Sequence, residues 1–220
     1  AELQLAYADI ESGLTAAQEA EAASKTASAT TQAKCLLTVA NASMAKGDAD
    51  AAQKAAAQAM DKAKEASDKV LEVSAMRSIV EVKLAKGDAS GAIELCSEML
   101  SKASEAGYVL GEANAKLLLA SAVLSTDVGS KEALRIGREA LALFDAAGDV
   151  FGTANTLQLL ANGCFASLDL EEGLKYAREA LAIFRSTKDE ENEMNLKQLI
   201  EDARNMTAEY RKQAPKKPMQ

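Results

Sequence analysis

Residues that could do chemistry are few in this chain, and their spacing argues against most kinds of catalysis. Histidine is absent from all 220 residues, so neither a Ser–His–Asp nor a Cys–His site can be built, and no histidine can bind a metal. The three cysteines, Cys35, Cys96 and Cys164, are too far apart in sequence for a CxxC redox or zinc motif. We therefore expect them to pack as small apolar side chains.

The carboxylates do not form a recognisable site either. Acidic pairs such as Glu171-Glu172 fit the N-terminus of a helix, and no segment has the ligand spacing of an EF-hand loop. No Gly-rich loop that could hold a phosphate is present. We therefore expect no catalytic residue, no cofactor and no metal site.

The charge balance excludes further classes of partner. The chain has 25 Lys and Arg against 33 Asp and Glu, a net charge of −8, and so lacks the basic surface expected for nucleic acid or anionic lipid. No apolar run approaches the ~20 residues of a membrane span. The sequence starts at Ala1 rather than Met, which fits removal of a targeting segment or a shortened chain. The compartment, cytoplasm or the interior of an organelle, stays open.

Composition favours helices that pack closely. Alanine makes up about a fifth of the chain, whereas aromatic residues are only 4%. Alanine has the highest helix propensity, and β-branched or aromatic residues would be expected in strands.

Internal repetition is the most informative feature of the sequence. Ala45-Lys46-Gly47-Asp48-Ala49 recurs forty residues later as Ala85-Lys86-Gly87-Asp88-Ala89, and Val128-Gly129 and Leu168-Asp169 occupy the same position further on. A second set of turns lies half a repeat away, at Ser67-Asp68, Gly107-Tyr108, Gly148-Asp149 and Lys188-Asp189. Glycine ends a helix because it accepts positive φ, and aspartate caps the next one. Two turns per repeat therefore predict two antiparallel helices.

Apolar residues between the turns recur at helical spacing. One face carries Leu134, Ala140, Leu141 and Phe144, and the equivalent face forty residues later carries Leu174, Ala177, Leu181 and Phe184. The second helices also show repeated small–large steps: Ala92-Ile93, Ala133-Leu134, Ala140-Leu141, Gly173-Leu174 and Ala180-Leu181. Large–small steps occur in the first helices as Leu119-Ala120 and Leu160-Ala161.

Over roughly residues 29–189 this pattern resembles the tetratricopeptide repeat (TPR) family, in the forty-residue form of kinesin-light-chain-type adaptors. The resemblance implies an all-α fold, a right-handed α-solenoid of antiparallel helix pairs with about ten helices. We expect one domain over residues 1–212, built from an N-terminal capping helix, four helix pairs and a C-terminal capping helix: 1–28, 29–68, 69–108, 109–149, 150–189 and 190–212. The closing helix should have the apolar stripe Met194, Leu199, Ala203, Met206 and Tyr210. The Lys- and Pro-containing tail, 213–220, should be unstructured.

The resemblance also implies a concave groove, lined by the first helix of each pair, that holds an extended peptide or a helix of a partner protein. Carried onto this chain, the groove positions give the candidate binding residues Asn41, Asn114, Asn155, Asn162, Asn195, Leu118, Leu159 and Phe165. An asparagine amide offers both a donor and an acceptor, so it can hold a peptide backbone of any sequence. The alternative is that the asparagines are simply solvated and that most of the apolar residues pack between helices. Of the basic set that grips a C-terminal carboxylate in one TPR subtype, only Lys34 and Arg77 are present, and we expect no such site.

Three functions follow from these observations. The first is a non-enzymatic protein–protein interaction scaffold or adaptor that binds a partner segment in the groove. The second is a permanent structural or assembly subunit of a large complex, such as a photosynthetic or respiratory one, suggested by the Met-less start, the acidic balance and the Lys-Pro tail. The third, more remote, is an enzyme that uses a groove carboxylate such as Glu81.

One prediction concerns stability along the chain. The run Ala49 to Ala66 offers little but alanine for its core, so the first helix pair should bury the least apolar area per residue. Amide hydrogens of residues 1–68 are therefore expected to exchange faster than those of residues 109–189 in a hydrogen–deuterium exchange experiment. Equal protection along the chain would contradict this.

Overall fold

The structure is a computed structural model that describes residues 2–126 and 130–213, with side chains described for 9–126 and 130–205. Within these residues the chain forms ten α-helices, a short 3₁₀ turn at Ser24–Thr26, and no strand. The helices are α1 (Glu2–Ala23), α2 (Ala29–Ala45), α3 (Ala49–Glu65), α4 (Lys69–Ala85), α5 (Ala89–Glu105), α6 (Val109–Leu124), α7 (Ser130–Ala147), α8 (Val150–Ala166), α9 (Leu170–Thr187) and α10 (Glu190–Gln213). The all-α prediction with about ten helices is confirmed.

The turns between helices work as the repeat predicts. Gly47, Gly87, Gly107 and Gly148 all have positive φ, between 63° and 82°, and each lies at the end of a helix. The aspartate that follows most of these turns caps the next helix: the Asp48 carboxylate accepts a hydrogen bond from the backbone N–H of Ala51 at 2.9 Å. These caps satisfy backbone donors that the first turn of a helix leaves without partners.

Two local expectations were wrong. The opening helix ends at Ala23, and a 3₁₀ turn leads to Ser28, which caps α2. In α10, Met194 is 67% exposed, whereas Leu196, Ile200 and Ala203 are buried. Residues 196, 200 and 203 recur at the three- and four-residue spacing of one helix face, and residue 194 lies on another face. Some predictions fall outside the described part of the chain: those for the turn Val128-Gly129, for the side chains of Met206 and Tyr210, and for residues 214–220.

The chain divides into two compact units, Ala1–Thr126 and Asp127–Gln220. The first contains α1 to α6 and the second α7 to α10. Within each unit, consecutive helices pack against each other. The boundary falls inside the third expected pair, 109–149, and the single domain over residues 1–212 stays a prediction.

Alanine dominates the core of the first unit. The buried face of α3 consists of Ala52, Ala55, Ala56, Ala59 and Ala63. This face packs between α2 and α4. Ala63 lies in one cluster with Ala33 of α2 and Leu71 of α4, and Ala59 lies in another with Leu36 of α2 and Ala75 of α4. In a third cluster, Ala55 and Ala56 contact Ala40 of α2. Side chains this short bring helix backbones close together and bury little apolar area per contact.

Phenylalanine packed against small residues dominates the core of the second unit. Phe184 is 1% exposed and lies among Ala154, Ala161, Ala177 and Ala180, and α10 joins the cluster through Leu196 and Ile200. Phe144, also 1% exposed, packs directly over Gly152, where an added Cβ would overlap its ring.

None of the helices in the described ranges is long and apolar enough to cross a membrane.

The contact between Phe144 and Gly152 generates a prediction about stability. Gly152→Ala places a methyl group in space that the buried ring already fills, so the ring or α8 must shift. Overpacking of this kind costs about 1–3 kcal/mol of the free energy of unfolding. The measurement is urea denaturation followed by circular dichroism.

Gly13→Ala in α1 is the matched control, since no heavy atom lies within 4 Å of its added Cβ. Alanine in an open helical position is favoured by roughly 0.5–1 kcal/mol. An unchanged denaturation midpoint for Gly152→Ala would show that Phe144 does not pack tightly on Gly152.

Candidate functional site

The first helix of each pair in the first unit presents a polar face with a forty-residue register. The residues on this face recur at equivalent positions of α2, α4 and α6: Lys34, Ser74 and Asn114 in one row, and Asn41, Glu81 and Ser121 in another. Helix α4 lies in the middle, since it packs against both α2 and α6. This face corresponds to the groove positions implied by the sequence.

A cleft of about 160 Å³ opens on this face. Its apolar lining comes from Leu37 of α2, Val73 of α4, Met99 of α5, and Tyr108 and Gly111 at the start of α6. Its polar lining comes from Asn41, Ser74, Arg77, Ser78 and Asn114. We call this space the α4 cleft. It brings together two of the predicted binding residues, Asn41 and Asn114.

Both asparagines keep hydrogen-bonding capacity. Asn114 is half-buried, and its Nδ2 donates to the Leu110 carbonyl at 2.7 Å, which fixes the side chain and leaves the amide oxygen and the second N–H available. Asn41 is exposed, and its Oδ1 accepts a long, weak bond from the Ser78 hydroxyl at 3.5 Å. An amide has one acceptor oxygen and two donor hydrogens, so each can still pair with the N–H or C=O of a bound backbone.

Arg77 supplies the positive charge in the lining of the α4 cleft, and Glu81 lies one turn further along α4. The Arg77 Nε lies 3.5 Å from the Glu81 Oε1. Burial raises the pKa of the Glu81 carboxyl, and the charge of Arg77 offsets part of that rise. Glu81 is therefore the ion-pair partner of Arg77.

The remaining predicted residues lie elsewhere. Leu118, on α6 of the first unit, is half-buried and packs against the cluster of Val80, Ala92 and Cys96. In the second unit, Asn155, Asn162 and Asn195 are exposed on α8 and α10. Their role in binding stays a prediction.

The two other apolar candidates also belong to the second unit and make packing contacts. Phe165 is half-buried and its ring covers Gly173, where an added Cβ would overlap it. Leu159 lies beside Gly137, with its Cδ2 3.3 Å from the position of an added Cβ. Both residues therefore close gaps that glycine leaves between neighbouring helices.

Sequence reasoning missed several residues that line the α4 cleft. Ser78, Val73, Met99 and Tyr108 were not among the candidates, although Tyr108 carries a visible signal. It occupies the turn position that is aspartate in the other repeats, at Asp68, Asp149 and Asp189. A missing capping residue can be found from sequence alone.

Other potentially reactive groups have ordinary structural roles. Cys96 and Cys164 are buried and Cys35 is half-buried. Burial raises the pKa of the Cys96 thiol to about 12 and that of Cys164 to about 11, so both stay protonated and weakly nucleophilic near neutral pH. Across the described residues, no group of three side chains could hold a metal ion.

Basic residues on the second helices of the repeats are paired with carboxylates. Arg135 contacts Glu132 and Glu139, and Arg138 contacts Glu172 at 3.1 Å and the Tyr176 hydroxyl at 3.2 Å. In these ion pairs the positive charges of the two arginines are offset by neighbouring carboxylates.

The pKa of Glu81 gives a prediction for pH dependence. The pKa of the Glu81 carboxyl is higher in the folded chain than the usual value of 4.5 expected in the unfolded chain, so the folded chain binds more protons. The contribution of this group to the free energy of unfolding therefore declines as the pH rises above 4.5. Glu81→Gln removes this decline, and its thermal midpoint is expected to rise relative to the unmodified chain between pH 4.5 and neutrality. Thermal unfolding across pH measures it.

Glu98→Gln, at an exposed position of α5, controls for the loss of one negative charge. If both substitutions change the pH profile equally, the effect comes from net charge and the burial of Glu81 is irrelevant.

Comparison with known proteins supports the fold. No protein-family model matches the sequence, and no curated protein matches it. Solved structures do match. The apo form of RapI gives a TM-score of 0.69 at 18% identity, over 91% of this chain and 78% of that protein. BtubC (BKLC) from P. vanneervenii gives 0.61 at 16% identity, over 100% and 96%.

A kinesin light chain from Podosopora anserina, with nearly identical TPR-like repeats, gives a TM-score of 0.55 at 14% identity, over 81% of this chain and 88% of that protein. Identities this low show a common fold and leave the function of each protein separate. The chain therefore has the fold of TPR-like helical repeat proteins.

Proposed function

We propose that this protein is a non-enzymatic interaction scaffold that binds an extended segment of a partner protein across α2, α4 and α6, at the α4 cleft. The observation that carries the proposal is the joint placement of Asn41 and Asn114 in the lining of one cleft, with unused hydrogen-bonding capacity on both amides.

An extended segment suits this site better than a small molecule. The cleft is shallow and mixed in character, with five polar residues beside its apolar lining, whereas small-molecule sites are usually larger, deeper and mostly apolar. A peptide backbone repeats one donor and one acceptor per residue. Asn41 on one side of α4 and Asn114 on the other can therefore each pair with it, several residues apart.

The hydroxyls and the guanidinium of α4 lie between the two asparagines and complete a polar lining. The Ser74 hydroxyl donates to the Val70 carbonyl at 2.9 Å. The Ser78 hydroxyl oxygen lies 3.5 Å from both the Asn41 Oδ1 and the Ser74 carbonyl oxygen, which compete for its one proton. Both hydroxyl oxygens remain able to accept. The Arg77 guanidinium, whose side chain is 37% exposed, keeps N–H donors beyond its single contact with Glu81. The lining thus favours a main chain or a polar side chain over a purely apolar surface.

The test uses a random peptide library displayed on phage and panned against the purified chain. The proposal predicts a family of enriched peptides. Ser74→Trp, which fills the α4 cleft with an indole ring, should lower the affinity of those peptides at least tenfold, about 1.4 kcal/mol. Titration calorimetry on a synthetic copy of an enriched peptide gives the affinity.

Ser97→Trp on α5 is the matched control, because Ser97 makes the same hydrogen bond to the carbonyl four residues earlier, at 3.0 Å, and is exposed outside the cleft. It should keep the affinity within about twofold. If Ser74→Trp fails to fold, the double variant Asn41→Ala/Asn114→Ala replaces it. Peptides that bind the cleft variants as well as the unmodified chain would overturn the proposal, and so would a library that yields no enriched family.

A further inference from the structure

Helix α6 begins without the cap that its counterparts have. At the corresponding turn of the other repeats, the carboxylates of Asp68, Asp149 and Asp189 accept a hydrogen bond from the backbone N–H three residues later, at 3.0, 2.8 and 3.1 Å. Tyr108 occupies this position before α6, and its side chain makes no capping bond. A tyrosine here therefore removes a stabilising interaction that the repeat otherwise provides.

The backbone of Tyr108 is still that of a capping residue. Its φ and ψ are −93° and 85°, close to the −99° and 96° of Asp68. The turn would therefore accept aspartate without rearrangement. The choice of side chain at this position is not dictated by the turn, and the reason for it must lie in what the ring contacts.

The Tyr108 ring forms a wall of the α4 cleft. Its Cδ1 lies 2.5 Å from the position that a Cβ on Gly111 would take, so the ring can occupy this place only because residue 111 has no side chain. The ring also packs on the buried cluster that contains Val73 and Met99. The side chain stays half-buried, however, and among the described residues no hydrogen bond to its hydroxyl is found.

The size of the cleft limits what can contact this ring. Its volume of about 160 Å³ is close to that of an apolar cavity of ~150 Å³ that accepts benzene. The accessible apolar part of the lining comes from Leu37 and Tyr108, and the buried side chains of Val73 and Met99 lie beneath it. One apolar side chain, branched aliphatic or a single phenyl ring, fits this space.

We infer that Tyr108 is a specificity-determining residue, whose ring receives one apolar side chain of the extended partner segment while Asn41 and Asn114 hold the backbone on either side. This inference rests on the proposed function and adds to it the class of residue that the partner must carry. On this view, α6 lacks the stabilising capping bond because its capping position carries a ring that binds the partner. Such departures from local sequence preferences are common at functional positions.

Three substitutions at this position test the inference with the same peptide library. Tyr108→Ala removes the ring, Tyr108→Asp removes the ring and restores the cap, and Tyr108→Phe keeps the ring. Both ring-deleting variants should bind an enriched peptide at least tenfold more weakly, although Tyr108→Asp should unfold at a higher temperature than Tyr108→Ala. Tyr108→Phe should stay within about fivefold of the unmodified chain.

The selected sequences provide a second readout. Peptides enriched by the unmodified chain should share one aliphatic or phenyl side chain at a fixed position, and those enriched by Tyr108→Asp should lack that preference. If Tyr108→Asp binds within twofold of the unmodified chain, or keeps the preference, Tyr108 only supports α6 and the inference is wrong. Loss of binding in Ser74→Trp together with full binding in Tyr108→Asp would overturn this inference alone and leave the proposed function standing.

Discussion

Close approach of neighbouring helices is the constraint on which the rest of this structure depends. In the first unit, α2 and α3 meet through alanine, as in the contact of Ala40 with Ala55 and Ala56. In the second unit, large rings fill the space above small residues, as Phe144 does above Gly152. A larger side chain at any of these contacts would separate the backbones and break the regular register of the repeats. The cores of both units therefore use small residues in different ways to reach the same helix-pair geometry.

This packing also decides where binding is possible. The first helices of the first unit bury one face and present a row of amides, hydroxyls and a guanidinium on another face. Helix α4 places Ser74, Arg77 and Ser78 in the middle of that row. The close contact at Gly111 in turn fixes the Tyr108 ring at the edge of the cleft. The position of the proposed binding surface thus depends on how the core is packed.

Most of the fold could be predicted from the sequence, because turns and helix faces are local features. The Gly-Asp turns and the forty-residue register predicted the eight helices α2 to α9. The prediction that Met194 is buried was wrong, because the buried face of a helix is decided by the neighbour on which it packs. In α10 that face carries Leu196 and Ile200, which lie in the core cluster. For the candidate site, the resemblance to TPR proteins and the repeat register predicted Asn41 and Asn114 as binding residues, but they did not predict the cleft that both residues line. Met99, for example, reaches the α4 cleft from the second helix of its pair, and only the packed structure shows that approach.

The central claim is that α2, α4 and α6 together form the protein-binding surface. The most direct measurement is a titration of the ¹⁵N-labelled chain with a selected peptide, followed through the side-chain amide signals of its asparagines by NMR. The account predicts that the signals of Asn41 and Asn114 shift together and saturate at one peptide per chain, with backbone shifts centred on Ser74 and Tyr108. Shifts confined to the outer faces of α3 and α5, with Asn41 and Asn114 unmoved, would contradict it.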